Sequence, residues 1–376
     1  MTLDNVKPEV FIFDTDIGVF NDSRIFDLAH ARQYPGAEAI ALLGDAMRAR
    51  GLETVTADVY LRGALRSSPA VCLSNELTRF TRKLLGLGHV DPAACMSLES
   101  PIWALDFYSR IREASERFRH VFLWKGARER ATGEAQFHEI HWPYPDLALQ
   151  TGGVSWERRR FLTLINSNKR ILALPKPLLQ VRHPRHSMAT LVEAVRQGRL
   201  RAREPWSRSE LYEDRLEAIR HFALSGDFDL YGYGWADTAA LPSVYAKAVG
   251  TAFCGELAPL SKVEKLSQYR FAICLENTVF PGYVTEKIFD CFVAGCIPVY
   301  LGAPDIGDYV PPAAFIDGRG FASLAHLESH LRAMTVDSAN ECLEAAGAFA
   351  DSDAGGAFTQ QRFIEDMVAV LTSGLE

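Results

Sequence analysis

Apolar residues along this chain recur in two alternating rhythms. Short runs with little polar interruption read as strands: EVFIFDTD (9–16), TVTADVY (54–60), AVCLS (70–74), ACMSLES (94–100) and HVFLWK (120–125). Between them, AEAIALLGDAMRARG and ALDFYSRIREASERF space their apolar positions as amphipathic helices. This alternation predicts a parallel sheet with helices on both faces. A second cycle opens at RRFLTLINSNK (159–169) and continues through ELYEDRLEAIRHFA, FDLYGYGW, SKVEKLSQYR, FAICLEN and IPVYLG. Two α/β domains of similar size are therefore expected, residues 1–155 and 156–350, meeting near the Gly-Gly at 152–153. A last helix within 351–376 sets Phe363, Ile364, Met367, Val368 and Leu371 on one face, without indicating which domain receives it.

Composition narrows the function classes. A chain of 376 residues is long for one core, and 48% hydrophobic with 23% charged residues is an ordinary soluble mixture. The net charge of −7 argues against a dedicated nucleic-acid partner, which would show a basic excess. Seven scattered cysteines, an odd number without a CxxC pair, suit a reducing compartment. The opening MTLDNVKPEV lacks the apolar core of a signal peptide, so a cytoplasmic protein without a membrane span is expected. One segment departs from the acidic average. Between Lys169 and Arg208 ten Lys or Arg residues face two acids, with His183 and His186 inside the run. It reads either as a solvated insertion or as a cover over an anionic ligand. The second reading extends to weak contact with a membrane surface or a lipid-linked acceptor.

The stretch ENTVFPGYVTEKIFDCFVAG (276–295) concentrates the chemistry. Ile288, Cys291, Phe292 and Gly295 fall at helical spacing, and Thr285 is placed to cap the helix through its hydroxyl. Lys287 in the first turn has the wrong sign for the positive end of the helix dipole, a cost of roughly 0.3–1 kcal/mol. Either the lysine reaches out to solvent, or an anion such as a diphosphate sits before the helix. Glu276 and Asn277, at the carboxyl end of FAICLEN, are expected to emerge at that edge. Arg215, beside the apolar face of Leu216, Ile219 and Phe222, is either a surface residue or a fork for diphosphate oxygens.

The run YRFAICLENT, then GYVTEKIFD and AGCIPVYLGAP, resembles the signature of glycosyltransferase family 10, the α-1,3/1,4-fucosyltransferases that use GDP-fucose. The flanking LINSNK, RLEAIR, DLYGYG and DYVPPAAFID agree in order, so the likeness covers roughly residues 159–330. The bacterial-type members of that family imply a GT-B architecture, two Rossmann-like parallel-sheet domains facing across a cleft. GDP-fucose would bind in the C-terminal domain, a glycan acceptor in the N-terminal one. The resemblance also implies inversion at the fucose anomeric carbon and no obligatory metal or other cofactor. Asn277 would meet the diphosphate or sugar, Tyr283 would line the same pocket, and Glu286 would lie near the fucose ring, stabilising oxocarbenium charge. Lys287 and Arg215 would bind the diphosphate. Thr278 stands where many members carry serine, and keeps the hydroxyl.

The acceptor hydroxyl needs a base. Glu99 in CMSLESPIW resembles the family's Glu-containing stretch, and burial would be expected to raise its pKa. Otherwise it caps the helix after Pro101. Asp14 and Asp16 stand in a D-x-D spacing that holds a metal in another glycosyltransferase class. Without supporting ligands they read, with Asn21, as acceptor hydrogen-bonding groups rather than a metal site. His138 and His141 are three apart, but Pro143 and Pro145 favour extended chain over a metal-binding helix face. Two alternatives stay open: a GT-B transferase for another nucleotide sugar such as GDP-mannose, and a catalytically silent sugar-nucleotide or glycan-binding protein.

Overall fold

The computed structural model describes residues 7–149, 154–168, 195–196, 198–204, 209–239, 241–258 and 261–373. Most of the basic segment 169–208 and the Gly-Gly at 152–153 therefore lie outside the described residues. The chain forms two compact units. One takes Met1–Leu98, Arg110–Asp146 and Gly356–Glu376; the other takes Glu99–Ser109 and Leu147–Gly355.

The first unit carries a six-stranded sheet: β1 (Val10–Asp14), β2 (Glu53–Thr56), β3 (Ala70–Asn75), β4 (Val90–Met96), β5 (His120–Leu123) and β6 (Gln136–Glu139). The strand order is β2-β1-β3-β4-β5-β6 and every pairing is parallel. The second sheet holds β7 (Arg160–Ile165), β8 (Phe228–Tyr231), β9 (Phe253–Gly255), β10 (Tyr269–Leu275), β11 (Ile297–Leu301) and β12 (Ile316–Asp317). It is ordered β12-β11-β10-β7-β8-β9, again wholly parallel. In each sheet the order turns back on itself once, between β1 and β3 and between β7 and β10. Such switch points leave a crevice at the carboxyl ends of the strands, where ligands of open α/β sheets bind.

Helices flanking the sheets include α1 (Ala37–Arg48), α2 (Thr81–Leu85), α3 (Ile111–Arg117), α4 (Tyr212–Phe222), α5 (Glu286–Val293), α6 (Val336–Ala350) and α7 (Gln360–Thr372). Leu216, Ile219 and Phe222 of α4 join Leu162, Leu164, Phe271 and Ile273 of the sheet in the main core of the second unit. Full burial of side chains this size stabilises by about 1.5–3 kcal/mol each. The expected stripe on α7 is present, with Phe363, Met367, Val368 and Leu371 buried, and α7 packs against α1 and β4 of the first unit.

Some expectations change. Residues 57–60 of the predicted strand TVTADVY form a helix, Ala57–Arg62, instead. The stretch ALDFYSRIREASERF breaks into Leu105–Tyr108 and α3, and the short edge strand β6 has too little apolar contrast to have been foreseen. On α5 burial is not confined to one stripe: every residue from Ile288 to Val293 is buried, and Phe289 stacks on Phe349 of α6 at 6.3 Å. Gly295 does not continue that helix but ends it, at φ 61°, with Cys296 N–H donating back to Cys291 O at 2.9 Å. Among the described residues no helix is long and apolar enough to cross a membrane.

Candidate active site

The carboxyl end of β10 runs straight into Glu276, and that side chain is the hub of the second unit's switch point. It is fully buried, not emergent at the sheet edge as expected. Oε1 accepts the Thr285 backbone N–H at 2.9 Å, the Thr285 hydroxyl reaches both carboxylate oxygens at 2.9 Å, and Lys287 Nζ donates to Oε2 at 2.8 Å. Thr285 occupies the N-cap position, but its hydroxyl makes no capping bond to the helix backbone. A buried carboxylate is the stronger acceptor, and it takes the hydroxyl. Gly302 lies against this hub, where any side chain would collide with Glu276 Cγ and the Tyr300 hydroxyl.

Lys287 does not snorkel to solvent; its side chain is 12% exposed. Burial alone would lower its pKa, yet Glu276 and Glu286 reverse that and hold the ammonium above its ordinary range. Glu286 Oε1 lies 3.7 Å from the ammonium. Burial pushes the Glu286 carboxyl up, and Lys287 with Lys262 outweighs it, leaving it below the usual carboxylate range. Lys262 in turn pairs with Asp290 at 2.6 Å. Two carboxylates around one ammonium leave net negative charge at the start of α5, the sign its dipole prefers. That is how a lysine is accommodated in the first turn.

Arg215 is brought to the same place by a local tie. Glu210 bridges Thr278, the Thr278 hydroxyl and Val279 N–H both donate to Ser209 O, at 2.9 and 2.8 Å, and Leu211 N–H donates to Asn277 O. The start of α4 is thereby fastened to the loop after β10. Arg215 is no surface residue: it is 3% exposed, with Nη1 donating to Ser167 O at 2.9 Å. Its Nε is buried without a hydrogen-bond partner among the described residues. Burial pushes the guanidinium pKa down to about 10, against the pull of Tyr212, Glu210 and Glu276. Asn277 Nδ2 donates to the Tyr283 hydroxyl at 3.3 Å. Tyr283 is itself buried, its pKa raised well above normal by that burial and by Glu276, Glu99 and Glu286.

Glu99 belongs to this neighbourhood through chain segment 99–109, which packs with the second unit and not the first. Tyr108 sets its ring edge-on to Phe280 at 6.0 Å, and its hydroxyl donates to Glu99 O at 3.2 Å. The Glu99 carboxylate accepts the Ser100 N–H at 2.9 Å. The side chain is exposed, so the burial expected of it is not there.

The first-unit candidates separate. Asp14 is fully buried, with its carboxylate accepting from the hydroxyls of Ser74 at 2.8 Å, Thr78 at 2.5 Å and Thr81 at 2.6 Å. Burial raises its pKa. It ties β1 to β3 and α2 and is not presented to an acceptor, which corrects the expectation. Asp16 is exposed and does not join it in a D-x-D chelate, while Asn21 is half-buried. His138 lies on β6, an extended strand, and shares a 2.9 Å hydrogen bond with His120. His141 follows that strand against Phe358. Among the described residues no cluster of three or more His, Cys, Asp or Glu could hold a metal. Asn166 (its amide donates to Leu275 O at 3.0 Å) and the Lys262–Asp290 pair were not legible as site residues, and Glu276 was expected at the edge, not as the buried counter-ion of Lys287. The one signal was an acid set directly after an apolar strand.

Residues 209–341 match the description "Glycosyltransferase family 10 (fucosyltransferase) C-term". An α-(1,4)-fucosyltransferase of Arabidopsis thaliana is 39% identical over 72 residues, 19% of this chain and 18% of that protein. The α-(1,3)-fucosyltransferase FucT of Helicobacter pylori is 44% identical over 61 residues, 16% of this chain and 13% of that protein. The chain thus spans under a fifth of the length of either relative in these matches. Across the fold, a crystal structure of an α1,3-fucosyltransferase superposes with a TM-score of 0.50 at 14% identity, covering 97% of this chain and 90% of that one. The fold is that of the GT-B glycosyltransferases, two parallel α/β units.

Proposed function

We propose, from the match of residues 209–341 to the family 10 fucosyltransferase C-terminal region, that this protein transfers L-fucose from GDP-fucose to a glycan hydroxyl. The linkage is α-1,3 or α-1,4, formed with inversion. Arg215 carries the reading. A guanidinium this deeply buried, at a switch point, with an N–H left over, is a site for an anion. A diphosphate would satisfy it, and Lys287 would add charge beside it. In direct displacement those cations offset the charge that develops on departing GDP. Glu286, held ionised by Lys287 and Lys262 against its burial, stabilises positive charge growing on the fucose ring. Asn277 and Tyr283 complete the donor pocket. Glu99 accepts the proton of the acceptor hydroxyl, and the first unit binds the acceptor, with Asp16 and Asn21 among its polar groups. The seven cysteines are all free thiols, which suits a cytoplasmic setting.

A product assay with GDP-fucose, GDP-mannose and UDP-sugars over a panel of glycans tests the donor and the linkage. Transfer from GDP-fucose alone is expected; turnover with another donor in its place overturns the reading. Glu99→Gln keeps the acceptor atom that receives the Ser100 N–H but cannot take a proton. Turnover should fall by roughly 10²–10⁴-fold with GDP affinity unchanged. A destabilised variant that still turns over would remove Glu99 from the role.

A further inference from the structure

A second charged pocket opens in the first unit, away from every residue assigned above except Asp14. It follows the carboxyl end of β3, beside that unit's own switch point, between α2 and α3. Its volume is about 290 Å³, at the lower end for small-molecule sites. Arg79, Arg82, Lys83, Arg110 and Arg117 line it, with Glu113 as the one acid. In a chain of net charge −7 this is a strong local excess of positive charge. The cations fall into two sets. Glu113 accepts from Arg110 Nε at 2.8 Å and from Arg117 Nε at 3.1 Å. Its carboxyl is held below the usual range, first by the Arg110 hydrogen bond, so it stays ionised and aligns two guanidinium groups, Arg110 just before α3 and Arg117 at its end. Arg79, Arg82 and Lys83 have no carboxylate partner among the described residues, and Arg79 lies over the Phe80 ring at 4.7 Å. The Thr78 hydroxyl, at the pocket wall, is fixed by its bond to Asp14. Surface cations facing plain solvent are usually dispersed among acids; these converge on one concave space.

We infer that this pocket binds a phosphate ester carried on a sugar, an anionic group of the acceptor. Three or more cations, mostly arginine, match the several oxygens of a phosphate through paired N–H donors. The sugar acceptor rests on the transferase reading, whereas the binding of a phosphate ester rests on the converging cations alone.

The test titrates the whole protein, with saturating GDP to fill the donor site, using galactose 1-phosphate, galactose and inorganic phosphate. The sugar phosphate should bind at least about tenfold more tightly than galactose, and more tightly than inorganic phosphate. Arg82→Gln with Lys83→Gln, both exposed positions, should erase that preference, and Arg112→Gln, on α3 but outside the pocket, should not. Melting temperatures check that both variants fold. Equal binding of galactose and its phosphate, or a preference untouched by the double variant, overturns the inference. So does inorganic phosphate binding as well as the ester, which marks an adventitious anion site. A second arm compares fucose transfer to a phosphorylated and a neutral disaccharide. No transfer to either, with the phosphate preference intact, sinks the transferase reading and upholds the pocket. Equal transfer to both, with no preference in binding, does the reverse.

Discussion

Each sheet buries one carboxylate at its switch point, and the two are neutralised in opposite ways. Asp14, at the end of β1, is surrounded by three hydroxyls. Glu276, just past β10, is met by an ammonium and one hydroxyl. Hydroxyls donate but bring no charge, so burial prevails and the Asp14 pKa rises. Such a group can be held neutral and serves as a tether between strands. Glu276 instead anchors a cation, and its pairing lets Lys287 remain charged inside the protein. A strand end beside a switch point therefore supports either a structural knot or a charged site, according to whether the loop that follows supplies a Lys. In the second sheet that loop leads into Y-V-T-E-K; in the first it leads to the 3-10 turn Gly18–Phe20, with no basic residue.

The comparison breaks most sharply at Lys287. Lys287→Ala leaves Glu276 buried and unpaired, which should cost about 3–5 kcal/mol of stability and abolish most turnover. Combining Glu276→Gln with Lys287→Met removes both charges. Urea unfolding should then recover much of the loss while turnover stays low. Recovery of both would make the pair merely structural. A smaller effect is expected at Arg215→Lys, which keeps the charge but loses the fork. GDP affinity should fall by roughly tenfold, the worth of one charge-assisted bond of about 1.5 kcal/mol; wild-type affinity by calorimetry would separate Arg215 from the diphosphate.

Smaller still is Asp14→Asn, expected to cost about 1–3 kcal/mol and to leave GDP binding alone. Its pH signature has a definite sign. The folded pKa is raised above 3.8, so the native state binds this proton more tightly. Its contribution is full below 3.8 and is lost as pH rises through the folded value. The asparagine variant should lose that decline in a melting series. Glu286 works the other way: its folded pKa lies below 4.5, so its contribution is present above 4.5 and lost as pH falls through the folded value. The smallest change should follow EDTA, which should leave turnover standing because Arg215 and Lys287 already meet the diphosphate in the proposed mechanism. Loss restored only by a divalent ion would overturn that assignment.

Much of this was legible in one dimension. Parallel strands buried on both faces read as continuous apolar runs, so β1, β3, β5, β7, β8, β10 and β11 could be located from hydropathy. The family resemblance rests on contiguous residues, and the match over 209–341 overlaps most of that stretch. Residues 57–60 misled because Val and Tyr favour strands, and tertiary packing overrides that local preference.

What the sequence by itself determined was the alternation of strand and helix, the two-sheet class and the cluster of polar residues from Glu276 to Lys287. Local periodicity and contiguous motifs act over a few residues, so they survive without knowledge of the fold. Only the tertiary structure decided which charges meet. Glu276 and Lys287 are 11 positions apart and pair because the loop between β10 and α5 brings the start of α5 back to the end of β10. Arg215 reaches them through the tie of 209–211 to 277–279, and Glu99 arrives from a segment that leaves its own sheet to pack beside Phe280. Burial, and with it the protonation of every group in the site, is a property of such long-range packing. A residue's type sets its charge in water, and its neighbours set that charge in the protein.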